Sequence, residues 1–341
     1  MLKLYTNTNF LTEAYRRQVF PLLFDLVFKQ NQKLLEKYSI VSSIEDANIV
    51  VLPVDYAVFL KQSKPFLELL KAAKAAKLPI WIYTSGDYGF TNYIPNSYTF
   101  RLGGFDSKMD KSTYVLPSFI NDPYASVLTQ DFSVLKKTSK PSIGFVGHAQ
   151  SGVLKYLKDY SNHLKYQVKR KSNKILADKQ RFYPSSVKRA NYLQTLAINE
   201  GLETNFILRT KYRAGSHSPE TQQKTTQQFY NNLFSNAYTF CIRGVGNFSV
   251  RFYETLAVGR IPILLNTDCR LPLNTHIDWS KHCLILDTSS HIKIADQILE
   301  FHKGLSASEF ENIQHSNRNL WLNTLQRDAY FLEIYKQFKT K

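Results

Sequence analysis

The chain has 341 residues, too many for one ordinary domain core and a comfortable length for two. With 43% hydrophobic, 14% aromatic and 21% charged residues it carries enough apolar side chain to offset the entropy of ordering, which excludes wholesale disorder. Against 27 acidic residues stand 44 lysines and arginines, and the net charge of +17 favours nucleic acid, phosphorylated metabolites or an acidic membrane surface as partner.

The N-terminal run MLKLYTNTNF lacks the basic start, apolar core and cleavage site of a signal peptide. No stretch approaches the roughly 18 uninterrupted apolar residues of a membrane span. Cys241, Cys269 and Cys283 fit neither a disulfide framework nor a CxxC zinc spacing. The expectation is a cytoplasmic protein without metal, soluble or attached peripherally at the inner membrane face.

Along the first half, LKLY near residue 2, NIVVLPV at 48–54 and LPIWIYTS at 78–85 read as strands, and the stretches from about Glu13 to Lys37 and from Pro65 to Lys77 read as amphipathic helices. That alternation is the pattern of βαβ units around a parallel sheet. From Gly86 to Phe119, glycine, aspartate, tyrosine and asparagine predict loops with short strands, where α/β proteins place their chemistry. The polar segment Asp131 to Lys140 reads as an interdomain linker. A second series follows: SIGFVG (142–147), NFILRT (205–210), AYTFCI (237–242), RIPILL (260–265) and KHCLIL (281–286). The stretch from about Ala307 to Lys341 has helical spacing and predicts one or two helices packing on the body. The predicted fold class is α/β, two Rossmann-like doubly wound domains over 1–136 and 137–310, with 311–341 packing across them.

The basic segment from Lys165 to Arg189 reads first as a solvated face. It lacks a helix-turn-helix or RNA-binding signature, so nucleic acid is the weaker reading beside an anionic acceptor or membrane headgroups. The densest signal is CIRGVGNFSVRFYETLAVGRIPILLNTDCRLPL, residues 241–273. A strand ends at Ile242, a turn bears Gly244 and Gly246, a helix starts at about Ser249, and Gly259 closes it. Glycines at such a turn let backbone amides approach a phosphate, and the helix N-terminus adds unpaired N–H donors and a positive dipole end. Arg251 falls in the first turn, able to fork onto a diphosphate, and Glu254 three residues later can accept from ribose hydroxyls. The alternative is an ordinary i,i+3 ion pair beside a tight turn. The run is neither a Walker A loop nor a complete GxGxxG fingerprint. Arg209 and Lys211, just past NFILRT, and Arg243, beside Gly244, either add charge to the same anion or are solvated cations.

The run from Ser235 to Asp287, in the order SNAYTFCIRGVGNFSVRFYETLAVGRIPILL, LPL and IDW, resembles the C-terminal signature of the exostosin family of glycosyltransferases (family 47), especially its bacterial exostosin-like members. A strand reaching Pro53, YTSGDYG (83–89), LPSFINDP (116–123), GFVGHAQ (144–150) and FILRTKYRAG (206–215) are also similar to it. The resemblance implies the GT-B fold, with an acceptor-side domain and a nucleotide-sugar-binding domain facing across a cleft. It further implies sugar transfer with inversion, no essential metal, and a nucleotide-sugar co-substrate, usually a uridine diphosphate sugar, in place of a cofactor. By position Arg251 becomes the diphosphate contact, Glu254 the ribose contact, and Ser249 with Asn247 the helix-start donors.

An inverting transfer needs a general base near the acceptor hydroxyl. Asp87, in the Gly-Asp-Tyr-Gly loop after LPIWIYTS, is the first candidate, with an Asx-turn as its other reading. Asp55, just past VVLPV, has the same kind of placement as Asp87, with a helix N-cap as its other and favoured reading. His148, in GFVGHAQSG, is either a phosphate contact, a base or a turn residue. His217, His276, His282, His291, His302 and His315 show no ligand spacing. The expected partners are a nucleotide-sugar donor, a glycan or lipid-linked acceptor and an acidic membrane surface. The alternatives are a fucosyltransferase-like GT-B enzyme using a guanosine diphosphate sugar, and a non-catalytic nucleotide- or nucleic-acid-binding protein.

Overall fold

A computed structural model of the chain describes residues 1–211, 215 and 218–339. The apolar runs become strands β1 (Leu2–Tyr5), β2 (Tyr38–Val41), β3 (Ile49–Val51), β4 (Ile80–Thr84), β5 (Ser97–Arg101) and β6 (Thr113–Val115). The second series is β7 (Ser142–His148), β8 (Glu203–Arg209), β9 (Tyr238–Cys241), β10 (Ile261–Leu265) and β11 (Leu284–Leu286). They form two sheets, in the orders β2-β1-β3-β4-β5-β6 and β11-β10-β9-β7-β8, parallel throughout. Helices on both faces explain why β3, β9 and β10 are buried at every residue and read as continuous apolar runs. The architecture is GT-B: two doubly wound Rossmann-like domains facing each other, with C-terminal helices packed back on the body.

Both sheets start in the middle, step one strand to one side, then return past the first strand and continue outward. The order therefore reverses between β1 and β3 in the first sheet and between β7 and β9 in the second.

The stretch from Glu13 to Lys37, expected as one amphipathic helix, is helical only over Pro21–Val27 and Gln32–Leu35, and β2 follows it. Phe20 N donates to Pro53 O at 3.0 Å and holds the chain extended until Pro21 opens the helix at its first turn. The segment 131–140 lacks regular structure but is not a free linker. Arg260 Nη1 donates to Ser133 O at 2.9 Å, and Gln314 brackets Leu135, accepting from its N–H and donating to its C=O, both at 2.9 Å. Leu128 already packs with Tyr230, Leu233 and Val258, so the chain joins the second domain before the expected boundary at residue 136. Gly259 ends its helix at φ 75°, and a Cβ there would run into the Phe132 ring.

At the C-terminus the helix Ala307–Leu320 packs on the second domain through Phe310. After a π-helical turn at Trp321–Leu325, the helix Arg327–Phe338 returns to the first domain. There Phe338 meets Trp81 edge-on at 4.9 Å, and Tyr38 Oη donates to Phe331 O at 2.6 Å. Arg327 Nε also donates to the buried Asp25 carboxylate at 2.6 Å. Burial raises the Asp25 pKa and Arg327 opposes the rise. Arg327→Met should cost about 3 kcal/mol by stranding that carboxylate. Chemical denaturation checks it: adding Asp25→Asn should recover most of the loss, and an unchanged midpoint in Arg327→Met would contradict it. Among the described residues no helix is long and apolar enough to cross a membrane.

Candidate functional site

In open parallel sheets, ligands bind outside the carboxyl ends of the strands where the strand order reverses. In the second sheet that point lies past His148 on β7 and past Cys241 on β9. The helices Ser185–Ala197 and Val250–Val258 start nearby: Ser186 Oγ accepts from Gln150 N at 2.9 Å, and Ser249 caps the second helix. Ser249 takes extended dihedrals (φ −134°, ψ 115°), yet its hydroxyl makes no cap bond, so this hydroxyl and the first helical N–H groups are available donors.

Arg251, in the first turn of the 250–258 helix, lies over the Phe145 ring at 4.2 Å and donates from Nη2 to Val146 O at 2.8 Å. Burial lowers its pKa, with Cys241 and Glu254 opposing the fall and Arg209 adding to it. Arg189 donates from Nη1 to His148 O at 2.6 Å and from Nη2 to Arg243 O at 3.1 Å. Burial, then the like charge of Arg251, pushes its pKa down to about 10. Arg243 is 5% exposed, stacked against Tyr183 at 4.6 Å and Phe105 at 5.3 Å, and its Nη2 donates to Val245 O at 2.8 Å. Arg209, at the end of β8, donates to Thr225 O at 3.0 Å and Gln228 Oε1 at 2.8 Å.

None of these four arginines is ion-paired with a carboxylate among the described residues. The ordinary Arg251–Glu254 ion pair is thus not formed, although Glu254 stands close enough to bias the charge of Arg251. The Nε atoms of Arg189, Arg243 and Arg251 and the Tyr183 hydroxyl are buried without a partner. Arg260 shows what a structural arginine looks like in this fold: it is fully buried, and its Nε, Nη1 and Nη2 all donate, to Phe234 O, Ser133 O, Gly259 O and Gln314 Oε1. Buried cations with spare donors and like-charge neighbours are stabilised by an incoming anion, and a diphosphate supplies both the charge and the acceptor oxygens.

The first domain meets this edge through the loop after β4. Asp55 caps the helix Tyr56–Phe59 by accepting from Val58 N at 3.2 Å, and its other oxygen accepts from Ser85 N at 2.6 Å, so it anchors the loop that carries Asp87. A Cβ on Gly246 would overlap the Asp87 carbonyl oxygen, which is why this turn needs glycine there, whereas Gly244 faces open space. Asp87 keeps much of its surface exposed, yet the surrounding walls raise its pKa from 3.8 by desolvation. Burial raises the Tyr88 pKa, the Asp87 charge adds to the rise and the Arg243 charge opposes it, so both groups stand near this phenol. His148, at the end of β7, has its pKa lowered by burial, then by Lys155 and Arg189, so it is neutral near pH 7. Its Nε2 lies 3.5 Å from Ser186 Oγ.

Asn247 departs from the expected role of helix-start donor. Its side-chain nitrogen donates to Gly104 O, Thr267 O and Asp268 O at 2.8–2.9 Å, and its Oδ1 accepts from Thr267 Oγ1 at 2.6 Å. The carboxamide is saturated and clasps the two domains. Lys211 is exposed, and residues 212–214 of the FILRTKYRAG run, like His217, lie outside the described residues. No group of three or more His, Cys, Asp or Glu side chains able to hold a metal occurs among the described residues. A separate groove of about 750 Å³ lies along β8 and the helix Pro219–Ser235, lined by Asn205, Lys224 and Gln228.

Arg189 and Tyr183 were not singled out in the sequence, where they end the basic run read as a solvated face. The signal was present: Arg189 precedes Leu193 by four residues and adjoins Ala190, which places it on the buried face of its helix.

No protein-family model matches the chain. A stretch of 107 residues, 31% of the chain, is 28% identical to the exostosin-1 homolog of Caenorhabditis elegans and spans about a quarter (25%) of that protein's length. Among solved structures, a glycosyltransferase from Rickettsia africae ESF-5 is 12% identical with a TM-score of 0.39, covering 99% of this chain and 98% of that one. An alpha1,3-fucosyltransferase is 11% identical, also with a TM-score of 0.39, over 100% of this chain and 90% of its own.

Proposed function

We propose that the protein is an inverting, metal-independent glycosyltransferase that takes a sugar from a nucleoside diphosphate donor and passes it to a glycan or lipid-linked glycan. The observation that carries this reading is the set of arginines, three with an unpartnered buried Nε, at the switch point of the second sheet beside two helix N-termini. Arg251, Arg189 and Arg243 hold the diphosphate, with Ser249 and the first N–H groups of its helix donating to the same oxygens. Arg209 and Lys211 add positive field from the end of β8. Glu254, one turn beyond Arg251, accepts from the ribose hydroxyls. Fixed positive charge then stabilises the leaving diphosphate, the work a divalent cation does in other transferases. Asp87, on the facing domain, accepts the proton of the acceptor hydroxyl, and neutral His148 contacts phosphate. The resemblance of residues 235–287 to the exostosin signature favours a uridine diphosphate sugar.

Thermal denaturation with uridine, guanosine, cytidine, thymidine and adenosine diphosphates in the presence of EDTA tests the reading. Uridine diphosphate should raise the midpoint most, since only a ligand of the native state stabilises it. A larger shift with guanosine diphosphate would move the donor to the fucosyltransferase-like class. No shift with any of the five would overturn the donor site.

A further inference from the structure

The helix Val153–Lys171, which follows β7, is mounted with its polar side inward. At 19 residues it is about 28 Å long, yet it contains no buried residue. Val153, Leu157, Leu164 and Val168 recur at spacings of four, seven and four, so they form one stripe along the axis. That stripe faces away from the body: Val153 is 74% exposed, Leu157 54% and Val168 66%, with Leu154 beside it at 85%. The side facing the protein carries polar groups and tyrosines rather than aliphatic side chains. Lys155 pairs with Asp159 there, Tyr166 donates to Asp178 O, and Gln167 Nε2 donates to Gln180 O at 2.8 Å. Hydrophobic faces of surface helices normally pack on the core, so this one is turned toward something else.

We infer that this helix docks the enzyme on an acidic lipid bilayer. Charge decides the occupant. Lys158, Lys165 and Lys169 form a second exposed row alongside the apolar stripe. Residues 153–181 hold nine lysines and arginines against two acids, Asp159 and Asp178, and both acids are engaged, by Lys155 and by Arg101 at 2.9 Å. A second copy of the chain would bring two such lysine rows together with no carboxylates to offset them. Nucleic acid satisfies the lysines but leaves the aliphatic stripe in water. An anionic headgroup layer over acyl chains meets both rows at once, the lysines at the phosphates and Leu157, Leu164 and Val168 at the boundary below. Tyr156 and Tyr160 lean edge-on against Phe182 at 5.3 and 5.2 Å, which braces the helix on the body.

Flotation of the 341-residue chain with phosphatidylcholine vesicles, with and without phosphatidylglycerol, tests this without any nucleotide, so its outcome is separate from that of the donor site. The chain should float with the anionic vesicles alone. Leu157→Glu with Leu164→Glu, or Lys158→Glu with Lys165→Glu and Lys169→Glu, should each weaken binding roughly tenfold or more. Leu157→Ser with Leu164→Ser is the milder variant should the glutamates disturb folding, and it should also weaken binding. Equal binding to both vesicles, no binding to either, or unchanged binding by the leucine variants would overturn the inference. A dimer in light scattering that Leu157→Glu dissociates would assign the face to a second copy instead.

Discussion

Arg251→Ala should weaken nucleoside diphosphate binding by roughly ten- to a hundredfold, the worth of a charge-assisted hydrogen bond to phosphate, and lower turnover further. The larger effect on turnover follows because charge on the leaving diphosphate grows in the transition state, where a fixed cation counts for more than in the ground state. The fold should survive. The guanidinium is desolvated among like charges, and its removal relieves that strain while giving up the bond to Val146 O. Calorimetric titration beside a melting curve separates the two effects. Unchanged affinity would remove Arg251 from the site, and collapse of the melting curve would mark it as structural in the manner of Arg260.

Asp87→Asn should leave donor affinity intact and lower turnover by roughly a hundred- to ten-thousandfold, the usual worth of a general base. The pH profile identifies the group. Burial raises the Asp87 pKa above 3.8, so the basic form is lost, and the rate falls, as pH drops through that raised value. His148 is lowered from 6.5 and titrates in the same acidic direction, so wild-type position alone does not separate them. Removal does: Asp87→Asn should flatten the acid limb of the residual rate, while His148→Gln should keep it. Near-normal turnover in Asp87→Asn would pass the role to His148. Asp55 is not an alternative, because both of its oxygens already hold backbone amides.

Much of the fold was legible because parallel strands buried on both faces leave a plain trace. IVV, IPILL and SIGFVG need no partner information to be recognised. The strand Tyr38–Val41 was not, since YSIV is a short edge strand next to charged residues and its pairing with Leu2–Tyr5 is a tertiary fact. At the site, the course of the chain was readable from local chemistry: the strand ending near Ile242, the glycine-bearing turn and the helix opening after Ser249 and closing at Gly259 lie where the sequence puts them. Asn247 was misread for the same reason. Its place in that turn fits a helix-start donor, and only the approach of Gly104 and Thr267 from elsewhere shows the carboxamide to be saturated. Arg189 shows the converse, hidden because composition grouped it with a basic run although its spacing to Leu193 put it on the buried face.

The structure of the complex with uridine diphosphate, grown in the presence of EDTA, tests the central claim most directly. The phosphates are predicted to lie within hydrogen-bond distance, about 3 Å, of Arg251, with Arg189, Arg243 and Ser249 around them and the ribose beside Glu254. A nucleotide bound instead in the groove along β8, or held away from all four of these phosphate contacts, would contradict the account.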